Sequence, residues 1–395
     1  MILAAQIVFW VCLAVCVYIY FGYPALLWVL SRFRSRPVRE GDVTPRASFI
    51  VAAYNEQDVI ARKIENTLAL DYPADALEII IASNGCTDRT NDIVREFRDP
   101  RVKLLCLEKP GKMEAVNQAV QMATGDILVF TDADFMLDTH TLRLMARKFA
   151  DPEVGGVSGA RKPGVVRKGD ATGLGEGLYV RWDKLQKILE SRIGSVYAAD
   201  GLLYAIRREL YVPLDDPNRG DDMTISTNVP LAGYRLVFEP QATAWEDGTI
   251  HAKSEFRRKV RIANRCTRAM LGHGRRLFTA GFYTVEVLSH KVVRHMIPFF
   301  LIPMFFASVV LARVHPFYAV ALGGQIAVYV LALIGAALRD TRAGYWKIFS
   351  VPYYFCFVNA AAFVGLLKLI SGRGTTAWSS RSAATAGRSS GTAVR

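Results

Sequence analysis

The hydrophobic pattern divides the chain into an apolar start, a long mixed region and an apolar end. Residues 1–31 contain no Asp, Glu, Lys or Arg, and such a stretch is long enough to cross a hydrocarbon core of about 30 Å. Three more charge-free stretches come late in the chain, at 296–312, 316–338 and 348–367. The pattern therefore predicts four transmembrane helices, one before the mixed region and three after it. A cleaved signal peptide at the start would need a basic beginning and a shorter apolar core.

The residues that flank these stretches predict an orientation. Arg32, Arg34 and Arg36 follow the first stretch, so the positive-inside rule places the mixed region in the cytoplasm. The link at 313–315 is so short that the spans on either side of it must form a helical hairpin. Three later spans would leave the C-terminus outside, yet the tail at 371–395 is basic and contains no acid, which favours the inside. One apolar stretch would then be re-entrant or interfacial. The composition of the tail is typical of a flexible segment.

Between residues 45 and 250, short apolar stretches alternate with patterns of helical period. Strands are predicted at 47–53, 77–83, 102–107 and 127–131, and helices at 58–69, 87–97 and 111–123. Such alternation favours a parallel, doubly wound α/β sheet. Ligands of open α/β sheets bind beyond the carboxyl ends of the strands, so the loops at that edge are the first candidates for a site.

Several of these loops carry chemically useful groups. The predicted strand at 127–131 is followed by two carboxylates, Asp132 and Asp134, which suit a Mg²⁺ or Mn²⁺ ion that also holds a diphosphate. The alternative is a turn with two solvated carboxylates. Lys112 follows Gly111 at the start of a predicted helix, where a lysine and backbone N–H groups favour phosphate.

Two other polar loops have both a functional and an ordinary interpretation. Asn84 and Asp88 can hydrogen-bond a nucleobase or a ribose, or they can form a turn and a helix N-cap. Asp221 and Asp222 precede an apolar helical pattern and can supply a general base. They can also be acids that the dipole favours at a helix N-terminus.

Charge and composition narrow the class of partner. The chain of 395 residues is 51% hydrophobic, with a mean hydropathy of +0.18 and a formal net charge of +13, which is too apolar for an ordinary soluble enzyme. Nine Lys or Arg lie within 253–276, interleaved with apolar residues. This stretch, in a predicted interface region at 251–290, favours a membrane-surface helix over a nucleic-acid patch because a span follows it. We therefore expect no nucleic-acid partner.

Seven short motifs, in this order, resemble the family-2 glycosyltransferases of the GT-A fold, in the membrane-integrated branch of cellulose, chitin and hyaluronan synthases. The motifs are AAYNE (52–56), SNGCTD (83–88), KPGKMEAVN (109–117), DAD (132–134), ADGLLYAIRREL (199–210), GDD (220–222) and EFRRKVRI (255–262). The resemblance covers residues 45–270. It implies a Rossmann-like, mostly parallel α/β domain in the cytoplasm, joined to α-helical transmembrane segments.

The resemblance also implies a role for each matching residue. The nucleotide-sugar would be bound by Tyr54, Glu56, Asn84, Asp88, Lys112, Asp132, Arg258 and Arg261. The acceptor would be bound by Asp200, Gly201 and Asp221. The metal, Mg²⁺ or Mn²⁺, would be bound by Asp134 together with Asp132, and the catalytic base would be Asp222.

Two positions depart from the family pattern. The family usually has an Asp where this chain has Asn84, which puts the recognition of the base in doubt. Processive synthases carry Gln-x-x-Arg-Trp on the helix after the base, and the corresponding residues 258–262 lack the tryptophan. That absence weakens the case for a synthase that extrudes its polymer.

The resemblance implies an inverting, metal-dependent hexosyltransferase in a bacterial-type inner or plasma membrane. We expect it to transfer sugar from a nucleotide-sugar, expected to be a UDP-sugar, to a growing polysaccharide, with secretion of the polymer as a possible coupled step. One alternative is single-step transfer to a lipid-linked oligosaccharide. Another is a nucleotide-binding membrane scaffold or transporter. A transporter would need buried charges inside its spans, and the four predicted stretches contain none.

Overall fold

The computed structural model describes residues 1–108, 111–162, 171–246 and 252–373. Lys109 and Pro110 of the KPGK motif, and the predicted flexible tail from 374 onward, lie outside these residues. The strands are β1 (Ala47–Ala53), β2 (Leu77–Asn84), β3 (Val102–Leu107), β4 (Ile127–Asp132), β5 (Phe135–Leu137), β6 (Val154–Arg161), β7 (Tyr204–Arg207) and β8 (Arg235–Glu246). The helices are α1 (Ile2–Val17), α2 (Tyr23–Phe33), α3 (Ile60–Leu68), α4 (Thr90–Glu96), α5 (Lys112–Met122), α6 (Thr141–Ala146), α7 (Ala171–Ile193), α8 (Asp221–Leu231), α9 (Ala252–Gly272), α10 (Arg275–Phe278), α11 (Phe282–Val287), α12 (Arg294–Leu311), α13 (Pro316–Leu338) and α14 (Lys347–Ile370).

The first half of the sheet is the parallel, doubly wound arrangement that the sequence predicts. Strands β3, β2, β1 and β4 lie side by side in that order and pair in parallel. Every residue of β1 is buried, as expected for a central strand covered on both faces. Phe49 packs with Ile60 of α3 on one face, and Ile50 packs with Val116 of α5 on the other. This register brings the carboxyl ends of the four strands to one edge.

The second half of the sheet is mixed, so the sheet as a whole is mostly parallel, which confirms the fold class that the resemblance implies. The order continues as β7, β6, β8 and β5, with β6 and β8 parallel, and with β7 antiparallel to both β4 and β6. Tyr204 pairs with Phe130, so β7 begins at the edge where β4 ends and runs away from it. The loop before β7 therefore lies next to the loop after β4.

Among the residues that the structure describes, four helical segments are long and apolar enough to cross a membrane, which is the predicted number and order. They are Ile2–Phe33, Phe282–Leu311, Pro316–Leu338 and Lys347–Ile370. The second begins well before the predicted stretch at 296–312 and includes Glu286 and His290, which are each 1% exposed. Buried charge in a span is thus present, contrary to the sequence-based expectation. The apolar pattern missed it because the partners of His290 are Asp183 and Glu190 of α7, far away in the chain.

The basic stretch at 253–276 contains a helix that is more than a membrane-surface anchor. Helix α9 packs against α14 and α8, and its buried side includes Val260 and Asn264. Gly365 of α14 allows this close approach, because a Cβ there would lie 2.7 Å from the carbonyl oxygen of Val260. Asn264 Nδ2 donates to the carbonyl oxygen of Gly365 at 3.1 Å. Helix α9 therefore joins the sheet domain to the last apolar helix.

Candidate active site

A cavity of about 560 Å³ lies between the carboxyl edge of the sheet and the apolar helices. Its walls come from the loop after β4, the loop before β7, the start of α8, one side of α9, and residues of α7, α12 and α14. Ten of the predicted site residues line it: Glu56, Lys112, Asp132, Asp134, Asp200, Gly201, Asp221, Asp222, Arg258 and Arg261. Motifs spread over more than 200 residues thus meet at one place.

Tyr54, Asn84 and Asp88, which the structure also describes, do not line this cavity. Asp88 accepts hydrogen bonds from the backbone N–H of Thr90 at 3.0 Å and of Gln57 at 3.1 Å. Asn84 Oδ1 accepts one from the backbone N–H of Gly111. Asp88 thus stabilises the turn before α4 and connects it to the loop after β1, and Asn84 connects the end of β2 to the start of α5. Nucleotide binding by the three residues stays a prediction.

Lys112 connects two of the acidic loops. Its Nζ lies 2.8 Å from Asp221 Oδ2 and 3.4 Å from Asp132 Oδ1. Burial alone would lower the pKa of Lys112, but the two carboxylates outweigh burial and raise the pKa. The lysine therefore stays charged at the N-terminus of α5, where an anion is favoured.

The surroundings of the neighbouring carboxylates Asp221 and Asp222 shift their pKa values in opposite directions. Burial opposes ionisation of Asp221, yet Lys112 and Arg265 lower its pKa overall. Burial, with the nearby charge of Asp221, raises the pKa of Asp222 to about 6. Two neighbouring acids with pKa values pushed apart are typical of sites where one group holds charge and the other transfers a proton.

Backbone amides hold Asp222 in place. Its Oδ2 accepts from the N–H of Gly201 at 3.1 Å, and its Oδ1 accepts from the N–H of Met223 at 2.8 Å. A Cβ on Gly201 would lie 3.1 Å from Asp222 Oδ2, so glycine lets the loop before β7 come this close. Asp222 is thus fixed in the cavity wall, with no cation bonded to it among the described residues, and it can accept a proton.

Asp132 and Asp134 both line the cavity and offer two hard oxygen donors. Within the described residues, no group of three His, Cys, Asp or Glu side chains is placed to hold a metal ion. Mg²⁺ is commonly bound by one or two carboxylates together with substrate phosphates. The residues present therefore fit a divalent ion shared with a diphosphate, and they do not form a cage made of protein alone.

Three arginines of α9 line the cavity at helical spacing: Arg258, Arg261 and Arg265. Arg258 Nη2 lies 2.6 Å from Glu176 Oε1 and 2.7 Å from Glu255 Oε1, in a buried ionic cluster. Arg261 forms no ion pair or hydrogen bond with any described residue. Arg265 was not singled out from the sequence, although its spacing from Arg258 and Arg261 would have identified it.

Two family models match the chain. The model of glycosyl transferase family 2 matches residues 48–193, and that of glycosyl transferase family group 2 matches residues 127–338, more than half of the chain. The chain belongs to the family 2 glycosyltransferases. The predicted family is thereby confirmed, and both matches include the loop with Asp132 and Asp134.

Similar proteins include two bacterial members of this family. The poly-beta-1,6-N-acetyl-D-glucosamine synthase of Staphylococcus aureus (strain MSSA476) is 28% identical over 205 residues, which cover 50% of this chain and 49% of that protein. The probable glycosyltransferase YdaM of Bacillus subtilis (strain 168) is 27% identical over 236 residues, covering 55% of this chain and 54% of that protein. The chain matches about half the length of these curated relatives.

A solved structure supports the fold assignment. The mannosyltransferase PcManGT from Pyrobaculum calidifontis, solved in complex with GDP-Man and Mn²⁺, gives a TM-score of 0.69 at 23% identity. The match covers 92% of this chain and 99% of that one. The predicted GT-A-like fold is therefore confirmed, together with four apolar helices that are long enough to cross a membrane.

Two buried lysines of this glycosyltransferase make contacts near the site that were not predicted from the sequence. Lys63 of α3 is fully buried, and its Nζ donates to Thr131 Oγ1 at 3.0 Å and to the carbonyl oxygen of Phe135 at 2.5 Å, on either side of the DAD motif. Lys187 of α7 lies 2.7 Å from Asp200, the predicted acceptor residue. A lysine in an amphipathic helix normally indicates a solvent-facing position, so the sequence carried no signal for either contact.

Proposed function

We propose that the protein is an inverting glycosyltransferase that transfers a sugar from a nucleotide-sugar to a hydroxyl group at the membrane. The observation that carries this proposal is the environment of Asp222. Its pKa is raised to about 6, and it is held by backbone amides in a cavity beside the Asp221–Lys112 ion pair. A carboxylate with a pKa near neutrality can remove the proton of an acceptor hydroxyl. A fixed cation beside it can stabilise the nucleoside diphosphate that leaves as an anion.

The donor diphosphate would lie at the sheet edge. Lys112 and Arg261 line the cavity there and supply positive charge for the leaving group. Asp132 and Asp134 would hold the divalent ion, which when bound would stabilise the charge on the diphosphate. Asp221, predicted from the sequence to bind the acceptor, pairs instead with Lys112, so we place it on the donor side.

The reaction needs one displacement. Asp222 accepts the proton of the acceptor hydroxyl, whose oxygen attacks the anomeric carbon while the bond from that carbon to the diphosphate oxygen breaks. Attack from the face opposite the leaving group inverts the anomeric carbon. The backbone N–H of Gly201 donates to Asp222, and the preceding residue, Asp200, pairs with Lys187. We assign this Asp200–Lys187 pair to the acceptor side.

The relatives support the substrate classes. PcManGT was solved with GDP-Man and Mn²⁺, which supports a nucleotide-sugar donor and a divalent metal here. The S. aureus relative is a polysaccharide synthase, which supports a polysaccharide as the acceptor here. A single transfer to a lipid-linked acceptor is the second candidate, because the cavity continues between the apolar helices to Phe355 and Asn359. We further propose that the sheet domain lies in the cytoplasm, on the basis of Arg32 and Arg34.

The test is sugar-dependent release of nucleoside diphosphate by the purified protein in detergent, with UDP- and GDP-sugars and with Mg²⁺ or Mn²⁺. We expect release with one donor, and loss of release in Asp222→Asn. Product length then separates a single transfer from polymerisation. Nucleotide binding without turnover for every donor and acceptor tried would contradict the proposal and favour a scaffold or transporter.

A further inference from the structure

A second group of cations lines the cavity from an apolar helical segment, and neither cation contacts the proposed base in the described structure. Lys291 and Arg294 lie one helical turn apart in the apolar segment Phe282–Leu311, and both line the cavity. The Arg294 side chain is only 10% exposed. Its guanidinium lies 4.5 Å from the ring centre of Tyr179 and 4.9 Å from that of Trp182. Aromatic rings from α7 therefore fix the guanidinium in place.

These cations are not matched by hydrogen-bond acceptors. Arg294 Nη1 is buried and has no hydrogen-bond partner among the described residues. The same holds for the hydroxyl group of Tyr354, which also lines the cavity. Lys291 forms no ion pair with any residue that the structure describes. Buried donors without acceptors are uncommon and costly in folded proteins, so this arrangement indicates that a ligand supplies the acceptors.

The local charge favours an anion as that ligand. The nearest carboxylate oxygen to Arg294 is Asp183 Oδ1, at 3.6 Å, which is beyond hydrogen-bond distance. Asp183 also lies 3.3 Å from Lys187 and 3.0 Å from His290, so its charge is shared among several groups. An arginine and a lysine on one helix face, with donors to spare, suit the oxygens of a phosphate group.

An apolar groove continues from the cavity. It has a volume of about 380 Å³ and lies between α12, α13 and α14. Its walls are mainly apolar and include Leu301, Phe305 and Phe363, and it shares Phe355 and Asn359 with the cavity. Because all three helices belong to apolar segments that can cross a membrane, the groove suits a hydrocarbon chain.

We propose that Arg294 and Lys291 bind the phosphate group of a lipid-linked acceptor whose hydrocarbon chain lies in the groove between α12, α13 and α14. The proposal rests on the proposed transferase function and deepens it, because it names the acceptor class. The phosphate would sit at the junction of cavity and groove, and the acceptor sugar would extend towards Asp222.

Direct binding tests the proposal without the donor sugar. The full chain in a non-ionic detergent is titrated with hexadecyl phosphate, hexadecanol and inorganic phosphate. We expect hexadecyl phosphate to bind at least about tenfold more tightly than either of the others. Equal affinity for hexadecanol would mean that the groove takes any alkyl chain, and equal affinity for inorganic phosphate would mean that the site takes a free anion. Either result would overturn the proposal.

Substitutions locate the two parts of the site. Arg294→Gln should weaken hexadecyl phosphate binding by about tenfold or more, and Ala360→Trp should do the same by filling the groove. Arg275→Gln, on an exposed residue, is the control for loss of one positive charge. Unchanged binding in Arg294→Gln and in Lys291→Gln would contradict the phosphate assignment. If Arg294→Gln does not fold, as judged by its melting temperature, Lys291→Gln alone decides.

The transferase proposal can fail separately. Asp222→Asn should bind hexadecyl phosphate as the unchanged protein does, because Asp222 is not part of the phosphate site. If the unchanged protein binds hexadecyl phosphate but turns over no donor, the result supports the lipid site and contradicts only the transferase.

Discussion

The sheet edge and the site of Asp222, on the proposed acceptor side of the cavity, differ in how a carboxylate is held. At the sheet edge, Lys112 bridges Asp132 and Asp221, and Arg265 lies 3.8 Å from Asp221. On the acceptor side, Asp222 is bonded only by the backbone amides of Gly201 and Met223 in the contacts that the structure describes. The sheet edge thus carries fixed charge, whereas the acceptor side carries a carboxylate that can take up a proton near neutral pH.

This difference explains how two adjacent residues can have different roles. Asp221 and Asp222 start the same helix, α8, but successive side chains on a helix point in different directions. Asp221 meets Lys112, and Asp222 meets the loop before β7. The substitutions below test whether the sheet edge does hold donor and metal, and whether the acceptor side does hold the base.

The largest effect is expected at the sheet edge. Asp134→Ala removes one of two carboxylates proposed to hold the metal, and should abolish transfer while leaving the melting temperature unchanged. Binding of Mn²⁺ in the presence of nucleoside diphosphate, followed by electron paramagnetic resonance, should weaken in parallel. Asp92→Ala, at an exposed position on α4, is the control. Full activity in Asp134→Ala, or in excess chelator, would remove the metal from the mechanism.

On the acceptor side, Asp222→Asn keeps the size of the side chain but removes its basicity. Transfer should fall by at least about a hundredfold, with donor binding by calorimetry near the unchanged level. Asp221→Asn should reduce turnover less and should alter donor binding, because Lys112 loses a partner. If Asp221→Asn is the inactive variant, the two roles are reversed. If both variants lose donor binding, the whole loop belongs to the donor pocket.

Some features of the fold and of the candidate site could be predicted from the sequence, and others could not. Strands β1 to β4 were predicted because each is a short apolar stretch bounded by turn residues. The meeting of Lys112, Asp132 and Asp222 followed from the family motifs and the common edge of the sheet. These features depend on local pattern or on a known order of motifs.

Contacts made over long distances in the chain were missed. Lys63, Lys187 and His290 are buried ionisable residues whose partners lie on other elements. Periodicity shows which face of a helix is apolar, but it does not show which polar residue finds a buried partner. The antiparallel strand β7 was missed for a similar reason, since its direction depends on pairing with β4 and β6.

A pH profile tests the acceptor side without mutation. Burial and the charge of Asp221 favour the protonated form of Asp222, so its pKa is raised to about 6. The ionised form is the base, and kcat/KM reports the free enzyme, so kcat/KM should fall as pH drops through that value, by about tenfold per unit below it. The residual activity of Asp222→Asn should lack this fall. A profile that is flat through pH 6 in the unchanged protein would mean that another group is the base.

The smallest effect is expected from the arginines of α9. Arg261 lines the cavity and has no ion pair among the described residues, so Arg261→Ala should raise the KM for the donor by about tenfold with no change in melting temperature. Arg258→Ala should lower both activity and stability, because Glu176 and Glu255 lose a buried cation. Arg275→Ala, at an exposed position on α10, should change neither. Both the KM for the donor and the melting temperature are measured for all three variants. Equal, mild losses in all three would contradict a role of Arg261 in donor binding.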